Sequence, residues 1–251
     1  MNDLKKSIQI VASLAAVIAL AGCGKKNEGG NAVADAPVVK VDPPKSGDWS
    51  EIVIATPAGG YQMGDPNAKV RLVEIGALTC PHCREFDEMA AQPLIDKYVK
   101  TGKVAWEFRP YLLNGLDVPA NMIVQCNGAK TFFPLMRALY KDQPAWLAKI
   151  QATPTAQLEQ LSTMAPAQQF KEFARLAGLQ EWAAVRGVPR AKSDQCLSDQ
   201  AKADQLVQMT SDVLSKYPKF PGTPAFILND EMLEVGGTWA NVEPEIVKAL
   251  Q

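Results

Sequence analysis

Only one histidine, His82, occurs among the 251 residues. That count excludes a Ser-His-Asp triad or a multi-histidine metal centre unless His82 serves it. Neither sign of charge is in excess, with 26 basic side chains against 27 acidic ones. No long basic block appears, so no nucleic-acid partner is expected. A confident membrane-spanning run is also missing, because the N-terminal apolar stretch from Ile8 to Ala21 is too brief. The length suits one large domain or two small ones, and either buries a sizeable core.

Cysteine is sparse, with five copies, but its placement is informative. Cys80-Pro81-His82-Cys83 follows the apolar run Val70 to Ile75 and precedes the helical spacing Phe86, Met89, Ala90, Leu94, Tyr98. The motif therefore lies where a strand gives way to a helix. With Cys80 as the N-cap, Pro81 takes the first helical position, where its missing N–H costs nothing. The Cys80 sulfur then faces the free N–H groups of His82 and Cys83 and the positive end of the helix dipole. Such surroundings stabilise a thiolate and lower its pKa. Cys83, one turn on, is less exposed and suited to resolve a mixed disulfide. The pattern predicts a dithiol/disulfide redox pair. Half of a zinc site competes with this reading. Zinc would need two more ligands from Cys126, Cys196 or carboxylates, because His82 cannot easily face the same metal as both flanking sulfurs. A purely structural bridge is disfavoured, since a four-residue disulfide loop at a helix start is strained and exposed.

The N-terminus begins Met1-Asn2-Asp3-Leu4-Lys5-Lys6 and ends its apolar run Leu20-Ala21-Gly22-Cys23. This resembles the lipobox of bacterial lipoprotein signal peptides. The resemblance implies a signal peptide over residues 1–22, cleavage before Cys23 and lipid on its sulfur. An ordinary secretory signal with an incidental cysteine is the alternative. Either route exports the mature chain to an oxidising compartment. Gly24, in place of an aspartate, does not argue for retention at the inner membrane. Cys126 and Cys196 then remain as an even pair and are expected to be bonded to each other, the alternative being two buried free thiols. Residues 23–50 read as the lipidated cysteine and a flexible tether, small, polar and proline-bearing.

Folded structure is expected from about Glu51. Strand signals fall at Glu51 to Ile54, Lys69 to Ile75 and Val104 to Arg109, and a helix from Pro81 to about Lys100 carries a kink at Pro93. The intervening helix favours a parallel strand pair. Helical spacings, cut by prolines at 134, 144, 154, 166 and 189, fill residues 116–197, and their aromatic and Met stripes read as core. A longer helix over Ser198 to Tyr217 follows. A hairpin then turns at Asn229-Asp230 between Gly222 to Leu228 and Glu231 to Val235, and a short helix runs from Val242 to Leu250.

That order around Cys80-Pro81-His82-Cys83, with Thr223-Pro224 opening the hairpin and Glu74 six residues before Cys80, resembles the DsbA-like thiol-disulfide oxidoreductases. The lipobox and the second cysteine pair point to a lipoprotein variant. The resemblance implies an α/β protein, a thioredoxin fold with an inserted α-helical domain over about residues 116–197 of a domain spanning 51–251. Pro224 would be the cis-proline that packs against the active-site disulfide. The backbone of Thr223 would pair with an extended substrate strand. Glu74, buried in its strand, would exchange protons with Cys83; a surface glutamate or a partner of Arg109 is the alternative. His82 would add a donor near the Cys80 sulfur and make the disulfide more oxidising. Arg84 reads as a solvated side chain without a catalytic role.

The implied activity is a dithiol oxidase that introduces disulfides through Cys80–Cys83, with no cofactor beyond that pair and no metal. Exported cysteine-containing proteins are the expected substrates, and a DsbB-like membrane oxidase the expected partner. The expected place is the periplasm, with a lipid anchor through Cys23. An isomerase or reductase is the alternative within the class, although residues 24–50 are too short and polar for the dimerisation domain such isomerases add. A non-redox binding protein or copper chaperone, using both sulfurs as soft ligands, is the alternative outside it.

Overall fold

The computed structural model describes residues 41–251. The expected signal peptide, Cys23 with its lipid, and the tether up to residue 40 lie outside the described residues. Six strands form one mixed sheet in the order β1-β2-β4-β3-β5-β6. They are β1 (Val53–Ala55), β2 (Tyr61–Met63), β3 (Val70–Gly76), β4 (Val104–Pro110), β5 (Ala225–Leu228) and β6 (Glu231–Met232). Only β3 and β4 run parallel, with Leu72 opposite Trp106 and Glu74 opposite Phe108; the other neighbours are antiparallel.

β3 is central and covered on both faces, which explains its nearly unbroken apolar run. Its alternation divides the core. Leu72 joins the large cluster on one face, whereas Val73 and Ile75 join a smaller one with Val213, Ala225 and Ile227 on the other. Glu74 shares the parity of Leu72, so its carboxyl is committed to the large core.

The chain leaves β3 into α1 (Pro81–Phe86), and helical geometry continues to Val99 through α2 (Gln92–Leu94). The expected kink at Pro93 is instead spread over two wide π turns, Asp87–Ala91 and Ile95–Val99, on either side of it. Proline lacks an N–H and its ring crowds the carbonyl four residues back, so widened turns relieve both problems. The helix stops at Gly102, whose φ of 72° requires glycine. A Cβ there would come within 2.8 Å of the Trp49 ring. Trp49 also donates its N–H to the Lys100 carbonyl at 3.1 Å. Packed structure therefore begins a few residues before Glu51, inside the segment expected to be tether.

Between β4 and β5 lie α3 (Asp117–Val124), α4 (Ala129–Lys141), α5 (Gln143–Gln151), α6 (Thr155–Leu161), α7 (Pro166–Leu176), α8 (Leu179–Ala184), α9 (Arg190–Cys196) and α10 (Gln200–Lys216). Helix α4 aims Phe132 and Phe133 at the sheet. Phe132 stacks on Tyr61 at 4.1 Å between ring centres, and Phe133 meets Trp106 at 4.8 Å. Helix α11 (Trp239–Leu250) closes the chain. Among the described residues no helix is long and apolar enough to cross a membrane.

Strand β2 has no counterpart in the sequence reading, because three residues between Gly60 and Gly64 are too few to display a period. The hairpin turns at Asn229 and Asp230, with φ of 46° and 74°, but β6 pairs over only two residues. Cys126, just past α3, is bonded to Cys196, the last residue of α9, with their Cα atoms 5.8 Å apart. Closing a loop with a sequence separation of 70 residues stabilises by roughly 4 kcal/mol in the chain-entropy model. The double variant Cys126→Ala/Cys196→Ala should therefore lose about 2–4 kcal/mol. Urea unfolding should show this as a lower midpoint, and an unmoved midpoint would contradict it.

Candidate active site

The turn Ala77 to Thr79 carries the chain from the end of β3 to α1, and the Cys80 N–H donates to the Ala77 carbonyl at 3.1 Å. Cys80 is the N-cap in an extended conformation and Pro81 is the first helical residue. The Cys83 N–H donates to the Cys80 sulfur at 3.3 Å. In its thiol form Cys80 donates to the Thr223 carbonyl, also at 3.3 Å. Thr223 precedes Pro224 across a cis bond.

The two thiols differ sharply. The Cys83 side chain holds the Cys80 pKa down to about 5, against burial, with help from Thr223 and from the backbone N–H groups of Cys83 and His82. Cys83 has no exposed surface. Burial pushes its pKa well above the ordinary thiol value, and its hydrogen bond with Cys80 adds to this.

Glu74 is 1% exposed. Burial first, then the charge of Asp87, raises its pKa well above the ordinary carboxylate value. The Trp106 indole donates to its Oε2 at 3.2 Å and opposes that rise. Its Oε1 has no hydrogen-bond partner among the described residues. Arg109 pairs with Glu107 at 2.9 Å, so Glu74 is neither a surface residue nor an arginine partner. It is close enough for its charge to act on Cys83.

His82 departs from expectation. Its side chain is 74% exposed, and Nδ1 lies 3.0 Å from Glu85 Oε2. A carboxylate three residues on in the same turn claims the ring. His82 serves Cys80 through its backbone N–H, not through the imidazole donor expected near the sulfur.

Further residues at the site went unnoticed in the sequence. Asp87, one turn past Cys83, is buried and has its pKa raised to about 6, by burial against the opposing charge of Arg137. Arg137 Nε lies 3.3 Å from its Oδ1. Its place four residues after Cys83, on the buried face of the helix, was the available signal. From the helical block, Asp117 accepts from the N–H and hydroxyl of Thr79, both at 2.9 Å. Tyr140 donates to the Ala77 carbonyl at 3.1 Å. Gln143 donates to the Leu78 and Cys80 carbonyls at 2.8 and 2.9 Å. Sequence spacing carries no signal for contacts between residues so far apart.

Beside Cys80 a groove of about 380 Å³ is lined by His82, Phe86, Met89, Thr223, Pro224 and Trp239, among others. Among the described residues no three Cys, His, Asp or Glu side chains gather as metal ligands. Cys126 and Cys196, which a zinc site would have drawn on, are bonded to each other.

The family model for thioredoxin matches residues 56–248. A crystal structure of a protein-disulfide isomerase from Novosphingobium aromaticivorans is 30% identical, with a TM-score of 0.72 over 76% of this chain and 96% of that one. The structure of alpha-DsbA1 from Wolbachia pipientis is 21% identical, with a TM-score of 0.59 over 80% and 96% of the two chains; it shares the fold. A protein from Rickettsia bellii, named as a protein-disulfide oxidoreductase, is 26% identical over 68% of this chain and 58% of its own length. One from Rickettsia prowazekii with a similar name is 25% identical over 75% of this chain and 60% of its own. The chain thus spans under two thirds of these curated relatives.

A Cys80 pKa of about 5 in the folded, reduced protein, against about 8.5 for an unfolded thiol, sets the sign of a pH effect. The depressed group contributes stability that is complete above the unfolded value and is lost as pH falls through the folded one. Iodoacetamide labelling of reduced Cys80 should rise through about pH 5 and be level by neutrality. A rise centred near 8.5, the value of an unperturbed thiol, would contradict it.

Proposed function

Because the chain belongs to the thioredoxin family, we propose that it is a protein thiol-disulfide oxidoreductase acting as a dithiol oxidase on exported proteins. The observation that carries the reading is the Cys80 sulfur at a helix start, within 3.3 Å of the Cys83 N–H. An acidic thiol stabilises the reduced pair and so makes the disulfide oxidising.

In the proposed cycle a substrate thiolate attacks Cys80 of the Cys80–Cys83 disulfide. The bond between the two cysteines breaks, and Cys83 leaves with the electron pair. Cys83 sits in apolar surroundings that disfavour a thiolate, and Glu74 is the acid that protonates it. The second substrate thiolate then attacks the substrate sulfur of the mixed disulfide and expels the Cys80 thiolate, a good leaving group because of its low pKa. Two electrons pass from the substrate dithiol to the enzyme. The Thr223 backbone, beside the sulfur, offers an extended substrate strand main-chain pairing that demands no particular side chains.

The wider setting rests on the N-terminal sequence. Lipid on Cys23 would hold the protein to a membrane facing the periplasm, near a DsbB-like oxidase that regenerates the disulfide. No cofactor beyond the cysteine pair, no metal and no nucleic acid enters this scheme. The name of the Novosphingobium relative favours an isomerase as a second reading.

Equilibration with glutathione separates the readings. An oxidase should lie near the DsbA value of about −120 mV and an isomerase near the protein disulfide isomerase value of about −180 mV, whereas a value near −270 mV, that of thioredoxin, would mark a reductant. Glu74→Gln should slow mixed-disulfide formation roughly 100-fold, a typical loss for a missing general acid. It should leave the Cys80 titration in place, because the groups that lower the Cys80 pKa are Cys83, Thr223 and the His82 backbone, not Glu74. Stopped-flow reaction with a reduced dithiol peptide measures the first effect, and an unchanged rate would remove Glu74 from the mechanism.

A further inference from the structure

Helix α5 begins at Gln143, which is 2% exposed although its side chain carries both an amide donor and an acceptor. Its one Nε2 amino group spans two carbonyls of the active-site turn, Leu78 at 2.8 Å and Cys80 at 2.9 Å. Among the described residues the Leu78 carbonyl has no other donor, while that of Cys80 also accepts from the Arg84 N–H at 3.2 Å. The preceding residue holds the helix start in place. Asp142 accepts from the Trp182 indole at 2.8 Å and from Arg186 at 3.0 Å. The amide is thus anchored in the helical block and reaches across it to the redox turn.

The direction of the Cys80 carbonyl fixes ψ of Cys80, and ψ sets where the sulfur lies relative to the N–H groups of the helix that follows. Without Gln143 the Leu78 carbonyl would be free and that of Cys80 held by the Arg84 N–H alone, so the turn could swing and carry the sulfur away from the Cys83 N–H. Grips on both Leu78 and Cys80 prevent that swing from either side of Thr79. Asp117 holds Thr79 itself. We propose that Gln143 is a positioning residue for the redox pair, clamping the carbonyls of Leu78 and Cys80 so that the Cys80 sulfur stays seated on its helix N–H groups. The inserted helical block thereby sets the redox strength of the site. The clamp deepens the oxidoreductase reading above and rests on it.

The test compares Gln143→Leu, Gln143→Glu and Gln180→Leu with the unaltered protein. Gln180 is an equally buried glutamine that donates to Ser193 and Asp194, away from the turn. Its loss reports what a buried hydrogen bond costs in stability alone. Each reduced protein is titrated by thiolate absorbance and then equilibrated with glutathione. Gln143→Leu should raise the Cys80 midpoint by about one pH unit and lower the oxidising equilibrium constant about tenfold, or roughly 30 mV. Gln143→Glu keeps the shape, but burial against two carbonyls holds its carboxyl protonated with a single O–H to donate, so it can grip only one of them and its shift should have the same sign and be smaller. It also serves if the leucine variant does not fold. Gln180→Leu should lose stability and leave the midpoint in place.

A folded Gln143 variant with an unmoved midpoint and equilibrium constant would overturn the clamp, as would an equal shift in Gln180→Leu. An unaltered protein with an ordinary thiol midpoint would instead sink the activity itself, which separates the two failures.

Discussion

A helix start leaves backbone N–H groups without partners, and here one of them finds a sulfur. Every other feature of the site serves the 3.3 Å approach of the Cys83 N–H to Cys80. Pro81 begins the helix without spending a donor. β3 delivers the chain to that point from the centre of the sheet, and the Thr223 backbone closes the far side of the sulfur. An anion is stabilised at this spot because several partial positive charges converge on it. The one histidine has turned its ring to Glu85.

The same geometry separates two chemically identical groups. Cys80 sits at the edge of the helix dipole and ionises easily; Cys83, one turn deeper, is surrounded by core and resists ionisation. Glu74 and Asp87 extend the pattern. Both are carboxyls whose pKa is raised by burial, that of Asp87 to about 6, and the charge of Asp87 raises that of Glu74 further. An apolar interior that would be inert with hydrocarbon alone thus holds two titratable groups with raised pKa values near the buried thiol.

Much of this was legible in the chain, for identifiable reasons. The strand before the motif, the helix after it, the capping role of Cys80 and the turn at Asn229-Asp230 all follow from local rules of period, cap and φ. What escaped was either too short or too distant. Strand β2 has three residues and borrows its conformation from its neighbours. The wide turns around Pro93 are a compromise that proline forces but does not specify. His82 was assigned its donor role from proximity, but Glu85, equally near, won the ring. Gln143 and Asp117 reach the turn from the helical block, and nothing in their surroundings marks a polar residue bound for a distant backbone. Asp87 alone stood at a readable spacing.

The aromatic seam between α4 and the sheet has a consequence for ancestry and engineering. Phe132 and Phe133 lie against Tyr61, Trp106 and Phe108, so what topology describes as an insert supplies one wall of the parent scaffold's interior. Excising it to recover a minimal scaffold would leave indole and phenyl rings facing solvent. An ancestor lacking this block would have needed a different lining there, and grafting the block onto a shorter relative would require those sheet positions to be transplanted with it.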